Sequence, residues 1–339
     1  MTEKALHFGS LESRIPRTKD GHIRVSQSDL SLFKADRREW YLGSFLGLRP
    51  KNQPVYGPLR LGTRVHSALE AYYGASQDLV EAYLSIAEQE LEDIRASGVV
   101  FDEKAWRDEA ELGRIMLTGY VEWLEETAAD SNLKVLGAEE KLSHTFEING
   151  TPIELRGKID LRARDTFTGQ NLVVDWKTTS SIPFMTRMAP RSEQLLTYMT
   201  LERLNGQSDP DFALQGARFV LLRKTKRTTN AKPPFYTHVD VHHNEIRLRN
   251  FYNQLWGTLA DYMRVVDALD RGVDHRVVAY PNGNASNRWS IFTDVNQMMD
   301  DGSRVEDMIA DLYVQSDPHE RYEDKAAELL EHVEEPVTW

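Results

Sequence analysis

The sequence predicts an α+β fold: a central mixed β-sheet flanked by helices, with a largely helical N-terminal third. Three observations predict it. Between Leu61 and Thr127 apolar residues recur at the 3.6-residue period of amphipathic helices. At Lys134 the pattern switches to strand-like runs, two of them joined by Asn149-Gly150, a tight hairpin turn. Beyond that hairpin, short apolar strands alternate with helical stretches, which places helices against one sheet.

Residues 1–25 are polar and mixed in charge and read as a loose lead-in. Ser26-Gln27-Ser28-Asp29 precedes Leu30, Leu32 and Phe33, so a capped helix is expected from near Ser28 to about Tyr41. Gly47 to Pro58 is rich in turn residues and reads as a loop. Helices follow over about 61–73, 78–96 and 102–127, the last with an apolar stripe of Trp106, Leu112, Ile115, Met116, Tyr120 and Trp123. Strands are expected over 135–148, 153–163 and 172–176, then a helix around 192–204, then strands over 217–223 and 235–241. A long helix from about Asn244 to Leu269 carries Phe251, Leu255, Leu259 and Tyr262 on one face. Val273 to Asn296 looks irregular, and helices return at 304–313 and 319–332. The organisation expected is therefore a lead-in over 1–25, a helical region over 26–133, a core with a C-terminal helical wrap over 134–300 and an acidic helical tail over 301–339.

At 339 residues the chain can bury a sizeable core. It has no cysteine, which excludes disulfides and thiolate-held metal or iron–sulfur centres. No apolar run reaches the roughly 18–20 residues of a membrane span, and Met1 to Lys19 has no apolar segment of a secretory leader. A cytoplasmic setting fits these features. The net charge of -12 is unevenly spread: residues 300–339 hold 13 acidic and 3 basic side chains. Between Phe212 and Val239 there is no acidic residue, while Arg218, Arg223, Lys224, Lys226, Arg227 and Lys232 are all present. An acidic tail with a local basic segment suits a chain that meets a polyanion on one face.

The chemistry concentrates between Gly157 and Tyr198. Asp160 and Asp175 stand 15 residues apart across a turn at Thr168-Gly169, as on neighbouring strands of a meander. Side by side, two such carboxylates can hold one hard cation, and a cation there can polarise a phosphate and activate a water. Lys177 follows Asp175 by two residues and so projects from the same strand face. It is placed to offset charge on the same phosphate. Trp176 points the other way and offers only its backbone carbonyl, a further candidate ligand. Taken singly, an Asp-x-Lys at a strand end is common, and a histidine on an apolar helix such as His66 usually belongs to the core. The ordered series is what raises them: Gly157-Lys158-Ile159-Asp160, then Asp175-Trp176-Lys177-Thr178, then Gln194 and Tyr198 one helical turn apart.

This series resembles the RecB-like branch of the PD-(D/E)XK nucleases, which includes CRISPR-associated and phage-encoded exonucleases. Gly157–Asp160 matches the branch's Gly-x-x-Asp, Asp175–Thr178 its (D/E)-x-K-T, and Gln194–Tyr198 its Gln-x-x-x-Tyr. Gly62-Thr63-Arg64-Val65-His66 is similar to its Gly-x-x-x-His helix, and Ser26 to Tyr41 to its opening serine motif. The resemblance touches roughly residues 26–300 and implies a restriction-endonuclease-like core. It implies that His66, Asp160 and Asp175, with the Trp176 carbonyl, bind Mg²⁺ or Mn²⁺, and that Lys177 is the catalytic lysine. Gln194 and Tyr198 would face the substrate strand or hold lysine and phosphate in register. The activity implied is metal-dependent hydrolysis of DNA, as an exonuclease on single-stranded or end-bearing substrates, in a phage or prokaryotic repair and recombination setting. A nuclease-like protein that binds DNA ends or a recombination partner without cutting, its acidic tail a protein-binding segment, is the alternative, and an RNA nuclease a third reading.

Many relatives close an iron–sulfur cluster with one early and three late cysteines. The corresponding positions fall near Ala35, Asn287, Ser290 and Asn296, none of them cysteine, so packing by Trp40, Trp289 and Phe292 is expected there instead. Arg187 and Arg191 flank the Gln-x-x-x-Tyr helix, and with Arg223, Lys224, Lys226 and Arg227 they are the candidate DNA contacts. Glu139-Glu140, opening the first hairpin strand, offer a further carboxylate near the metal. His242-His243 reads as surface at a strand-to-helix junction. The chain has no Gly-x-x-x-x-Gly-Lys-Ser/Thr phosphate loop, hence no motor of its own.

Overall fold

The computed structural model describes residues 11–206, 213–282 and 290–317. In chain order the elements are β1 (Ile23–Ser26), α1 (Gln27–Ala35), α2 (Arg37–Trp40), a π-type turn over Tyr41–Phe45, β2 (Leu48–Pro50), α3 (Pro58–Ala75), α4 (Leu79–Ala96) and α5 (Glu103–Thr127). There follow β3 (Leu133–Ile148), β4 (Thr151–Asp165), β5 (Asn171–Thr179), α6 (Ile182–Met188), a 3₁₀ turn over Ala189–Arg191, α7 (Glu193–Gly206), β6 (Leu214–Arg223) and β7 (Tyr236–Val241). The chain continues with α8 (Glu245–Asp270), α9 (His275–Val278), α10 (Thr293–Asp301), α11 (Glu306–Leu312) and β8 (Tyr313–Gln315).

Six strands form the central sheet in the order β1-β4-β5-β6-β7, with β3 also paired to β4. Strand β5 runs antiparallel to β4 and parallel to β6, and β6 antiparallel to β7, so the sheet is mixed as expected. The parallel step needs a crossover connection, and α6 with α7 supplies it. Asn149 and Gly150 both take positive φ, 51° and 80°, the backbone of a tight turn whose twist matches its strands.

Local chemistry sets the helix boundaries. Ser26 Oγ accepts the Asp29 N–H at 3.2 Å and an Asp29 carboxylate oxygen accepts the Ser26 N–H at 3.0 Å, a reciprocal cap that starts α1 at Gln27. The single helix expected to Tyr41 is instead interrupted at Asp36. That residue is extended, with φ −157°, and its carboxylate recaps the chain by accepting from the N–H groups of Arg38 and Glu39. The side chains of Asp78 and Asp102 cap α4 and α5 in the same way. The irregular stretch after Val273 contains α9, and α6 also lies where no element was expected. The helix expected over 319–332 and most of the acidic tail lie outside the described residues. Among the described residues no helix is long and apolar enough to cross a membrane.

The chain forms two compact units. One comprises residues 54–144 and 156–254. Its core packs α3, α4 and α5 on one sheet face through Leu61, Val65, Leu69, Tyr83, Trp106 and Tyr120, against Leu161, Val174, Trp176 and Val220.

The other unit comprises residues 1–53, 145–155 and 255–339. Its centre is aromatic: Trp40 meets Phe33 and Tyr262 edge-on, each at 5.1 Å between ring centres. Trp40 and Phe292 are buried, as expected; Asn287 and Trp289 lie outside the described residues. A polar staple joins that packing. Ser290 Oγ and Asn296 Nδ2 donate to one Glu39 oxygen at 2.6 and 2.5 Å. Asn282 donates its N–H to Asp36 and its amide to the Ala35 carbonyl, both at 3.0 Å.

Candidate active site

The first half of the site is the pair His66 and Asp160. Helix α3 buries Leu61, Val65, Ala68 and Leu69, which leaves His66 half-buried on the flank of the apolar stripe. Its Nδ1 lies 3.2 Å from Asp160 Oδ2. The same oxygen accepts the Trp176 backbone N–H at 2.8 Å. The Trp176 side chain goes to the helical face, where its ring packs 5.0 Å from that of Tyr73 on α3. Tyr73 follows His66 by two helical turns, so one aromatic contact ties α3 to β5.

The second half is built on Asp175. Leu161 pairs with Val174 across β4 and β5, so Asp160 and Asp175 flank that pair on adjacent strands. Asp175 is fully buried, and Gln194 Nε2 donates to its Oδ1 at 2.9 Å. The other hydrogen of the same amide goes to Tyr198 Oη at 3.0 Å. Lys177 Nζ is ion-paired to Asp175 Oδ2 at 2.6 Å and sits over the Phe219 ring. Helix α7 reaches this position because Gly157 has no side chain. A Cβ there would stand 3.0 Å from atoms of both Leu201 and Tyr198, which locates the need for the first residue of Gly-x-x-Asp.

Burial and charge oppose each other at every one of these groups. Burial disfavours a charged His66, but Asp160, by charge and hydrogen bond, prevails and raises its pKa. Burial likewise works against an ionised Asp160, yet His66, Lys177 and the Trp176 N–H hold its carboxyl below the usual range. For Asp175 burial wins: its carboxyl is pushed up to about 6, with Lys177 opposing and Asp160 reinforcing. Lys177, half-buried, is held above its ordinary value by Asp175 and Asp160 against the cost of burial.

Ligand atoms of His66, Glu139 and Asp160 all lie within 4.8 Å of one another. Glu139, only a supplementary candidate in the sequence, is therefore a full member of the cluster. Its positive φ of 51° inside β3 is a local irregularity that sequence periodicity does not reveal. Its carboxylate is ion-paired to Lys158, and burial raises its pKa against that lysine's pull. Asp175, expected beside His66 and Asp160, turns its oxygens to Gln194 and Lys177. The Trp176 N–H is committed to Asp160, and its carbonyl is the group left for a cation. The donor set is carboxylate oxygens and one imidazole with no thiolate, which suits a hard divalent cation.

The expected DNA-contacting cations divide into two groups. Arg223 donates to the Lys232 carbonyl at 2.9 Å, and Arg227 is ion-paired to Glu122, so both brace the connection between β6 and β7. Arg187 and Arg191 are exposed on α6 and the turn after it, and Lys226 is exposed further along. Lys224 is half-buried beside the catalytic strand, its N–H donating to the Thr179 carbonyl at 2.7 Å. Of the His242-His243 pair expected at the surface, His242 is exposed and His243 is half-buried in the link from β7 to α8.

Behind the sheet, Asp130 accepts the Tyr73 hydroxyl, which also lies 3.0 Å from Tyr120 Oη, while His238 Nε2 stands 3.6 Å from Asp130. Sequence periodicity carries no signal for this network, since its members come from four separate elements or links.

No curated protein matches this chain. A solved structure described as "Crystal structure of SSO0001" aligns over 68% of this chain and 83% of its own at 12% identity. Its TM-score of 0.25 is too low to support a conclusion about fold or activity. Residues 24–335 match the family model described as the PD-(D/E)XK nuclease superfamily, which spans every residue of the site built above. The chain belongs to the PD-(D/E)XK nuclease superfamily.

Proposed function

We propose that this protein is a Mg²⁺- or Mn²⁺-dependent deoxyribonuclease of the RecB-like branch, acting as an exonuclease on single-stranded or end-bearing DNA. One observation supports it above the others: a buried Asp175 held by Lys177 and Gln194 stands next to a strand whose Asp160 meets His66. His66, Asp160, Asp175 and Glu139, with the Trp176 carbonyl, would hold the cation. When bound, a divalent cation supplies Lewis acidity toward the scissile phosphate and the attacking water.

The chain's own groups do the rest. Lys177 remains protonated against its two carboxylates and donates to a phosphate oxygen, offsetting the charge that builds in the transition state. Gln194 fixes the Asp175 carboxylate, and Tyr198 fixes Gln194, so the acid faces the phosphate in one orientation. The cations Arg187, Arg191, Lys224 and Lys226 hold the strand by its phosphates without reading sequence. We place the protein in the cytoplasm, in repair, recombination or phage DNA metabolism, with the acidic tail over 301–339 as a segment for a protein partner.

Incubation of end-labelled single-stranded and duplex DNA with the purified protein tests the proposal, with and without Mg²⁺ or Mn²⁺ and beside Lys177→Ala and Asp175→Ala. Metal-dependent shortening from an end, lost in both variants, is expected. Equal activity in the variants, or none in the wild type across the panel, defeats it. Metal-independent binding of ends without cleavage would instead identify the non-cutting alternative.

A further inference from the structure

Immediately beyond the catalytic strand, α6 carries an exposed stripe of mixed chemistry. Phe184, Arg187 and Met188 follow the i, i+3, i+4 spacing of one face of α6, Arg191 follows on the 3₁₀ turn that continues it, and all four are exposed. Phe184 is 52% and Met188 42% accessible. The opposite face is anchored by buried Ile182 and Ala189, and Ser181 caps the helix by accepting the Phe184 N–H. The stripe is therefore presented on a fixed support, packed against β6 and β7.

Two chain segments around it carry one sign of charge. In a chain of net charge -12, residues 176–192 contain no acidic side chain, and neither do residues 212–239. The two segments meet where the Lys224 N–H binds the Thr179 carbonyl, at the C-terminal ends of β5 and β6. Among the described residues, Arg187, Arg191 and Lys224 form no side-chain hydrogen bond or ion pair. A single exposed phenylalanine is ordinary on a protein surface. An exposed aromatic and a thioether, flanked by unpaired arginines and seven residues past Lys177, match a different need. Unpaired bases bind by stacking on exposed aromatic faces while nearby cations take the phosphates; a duplex hides its base faces.

We propose that α6 is a base-stacking platform: Phe184, supported by Met188, stacks an unpaired nucleobase of a single-stranded DNA end, and Arg187 and Arg191 hold its flanking phosphates. The platform deepens the nuclease reading and rests on it, because it names the single strand as the form of DNA that reaches Lys177.

The test is read without cleavage. Full-length protein in EDTA is titrated with a single-stranded oligonucleotide carrying 2-aminopurine near its end, and with the same sequence as a blunt duplex. Stacking quenches the fluorophore in the single strand only. Phe184→Ala is expected to weaken single-strand binding about 5- to 100-fold and abolish the quench, the range that loss of one stacked base gives. Phe184→Trp should restore it. Arg187→Ala and Arg191→Ala should each weaken binding and lower the salt slope by roughly one counterion. An unchanged quench in Phe184→Ala, or equal quenching of the blunt duplex, overturns the platform; so does an apolar protein partner that captures α6 while single strands do not bind. Because Phe184 is exposed, an effect through misfolding is excluded by an unchanged melting temperature. Failure of the nuclease reading looks different, as metal-dependent hydrolysis would be absent in the wild type whatever α6 binds.

Discussion

Two sets of carboxylates, one in each unit of this chain, are satisfied differently. In the unit containing residues 1–53, Asp29 accepts from the Ser26 N–H, the Ser26 hydroxyl and the Ser44 hydroxyl. Asp36 accepts from three backbone N–H groups, and Glu39 from Ser290 and Asn296. These donors are neutral and most are fixed to the backbone or to capped turns. In the unit containing residues 54–144, Asp160 meets His66, Asp175 meets Lys177, and Glu139 meets Lys158. Those partners are two lysines and a histidine whose pKa the neighbouring carboxylate raises. A carboxylate saturated by fixed neutral dipoles is a staple, because releasing it leaves several buried groups unpaired. A carboxylate held by a cation can exchange that cation for a metal ion or a developing charge with little loss.

The two classes should separate on mutation. Lys177→Ala is expected to lower metal-dependent hydrolysis by at least about 10³-fold, some 4 kcal/mol of transition-state stabilisation. Its melting temperature should move little, since Asp175, already raised to about 6, can take a proton when its partner goes. Glu39→Ala should do the reverse. Loss of the acceptor for Ser290 and Asn296 is expected to cost about 2–4 kcal/mol in urea unfolding, while hydrolysis per folded molecule stays near wild type. A Glu39 variant that unfolds no more easily than the wild type would break the comparison at its base.

How much of this was legible in the sequence depends on the same distinction. The strand alternation, the Asn149-Gly150 turn and the spacing of Asp160, Asp175, Lys177, Gln194 and Tyr198 were readable, because period and motif are local or ordered along the chain. The sequence also marked His66, 94 residues before Asp160, by resemblance alone. Its Nδ1 contact with Asp160 needed the fold. Glu139 was only half visible, since its membership depends on a positive φ inside β3. The Glu39 staple was not visible at all. Serine and asparagine some 250 residues away carry no pattern that points to a buried glutamate. The break at Asp36 was hidden for a related reason: aspartate is tolerated within a helix pattern, and only its own caps show that it ends one helix and starts another.

Two histidines of one unit sharpen the contrast further. Asp160 raises the pKa of His66, whereas burial, joined by Arg218, pushes His238 down to about 4 against the pull of Asp240. The folded state thus refuses a proton that the unfolded chain accepts below about 6.5. Stability is full above that pH, falls as pH drops toward 4, and levels off below it. The expected loss is about 3 kcal/mol, read as the difference in urea stability between wild type and His238→Gln across that window. The difference matters because Asp130, raised by burial, gains a proton in the folded state and acts in the opposite sense. A flat difference would mean that His238 is solvated like an ordinary surface histidine.

The smallest expected effect is the most discriminating, because it predicts opposite signs for two partners of one ion pair. Glu139 has both affiliations: its carboxylate touches Lys158, and it lies within 4.8 Å of ligand atoms of His66 and Asp160. If Lys158 only holds the place that a divalent cation would take, Glu139→Gln should weaken Mn²⁺ binding about 10-fold, the usual effect of losing one supporting group around a metal. Lys158→Met should then tighten binding, because it removes a competing cation while leaving the carboxylate in place. Isothermal titration with Mn²⁺ measures both without any turnover. Weaker binding in both variants would assign the pair to the staples, as a contact that shapes β3 against β4. No change in either would remove Glu139 from the site and leave His66, Asp160 and Asp175 as its side-chain ligands.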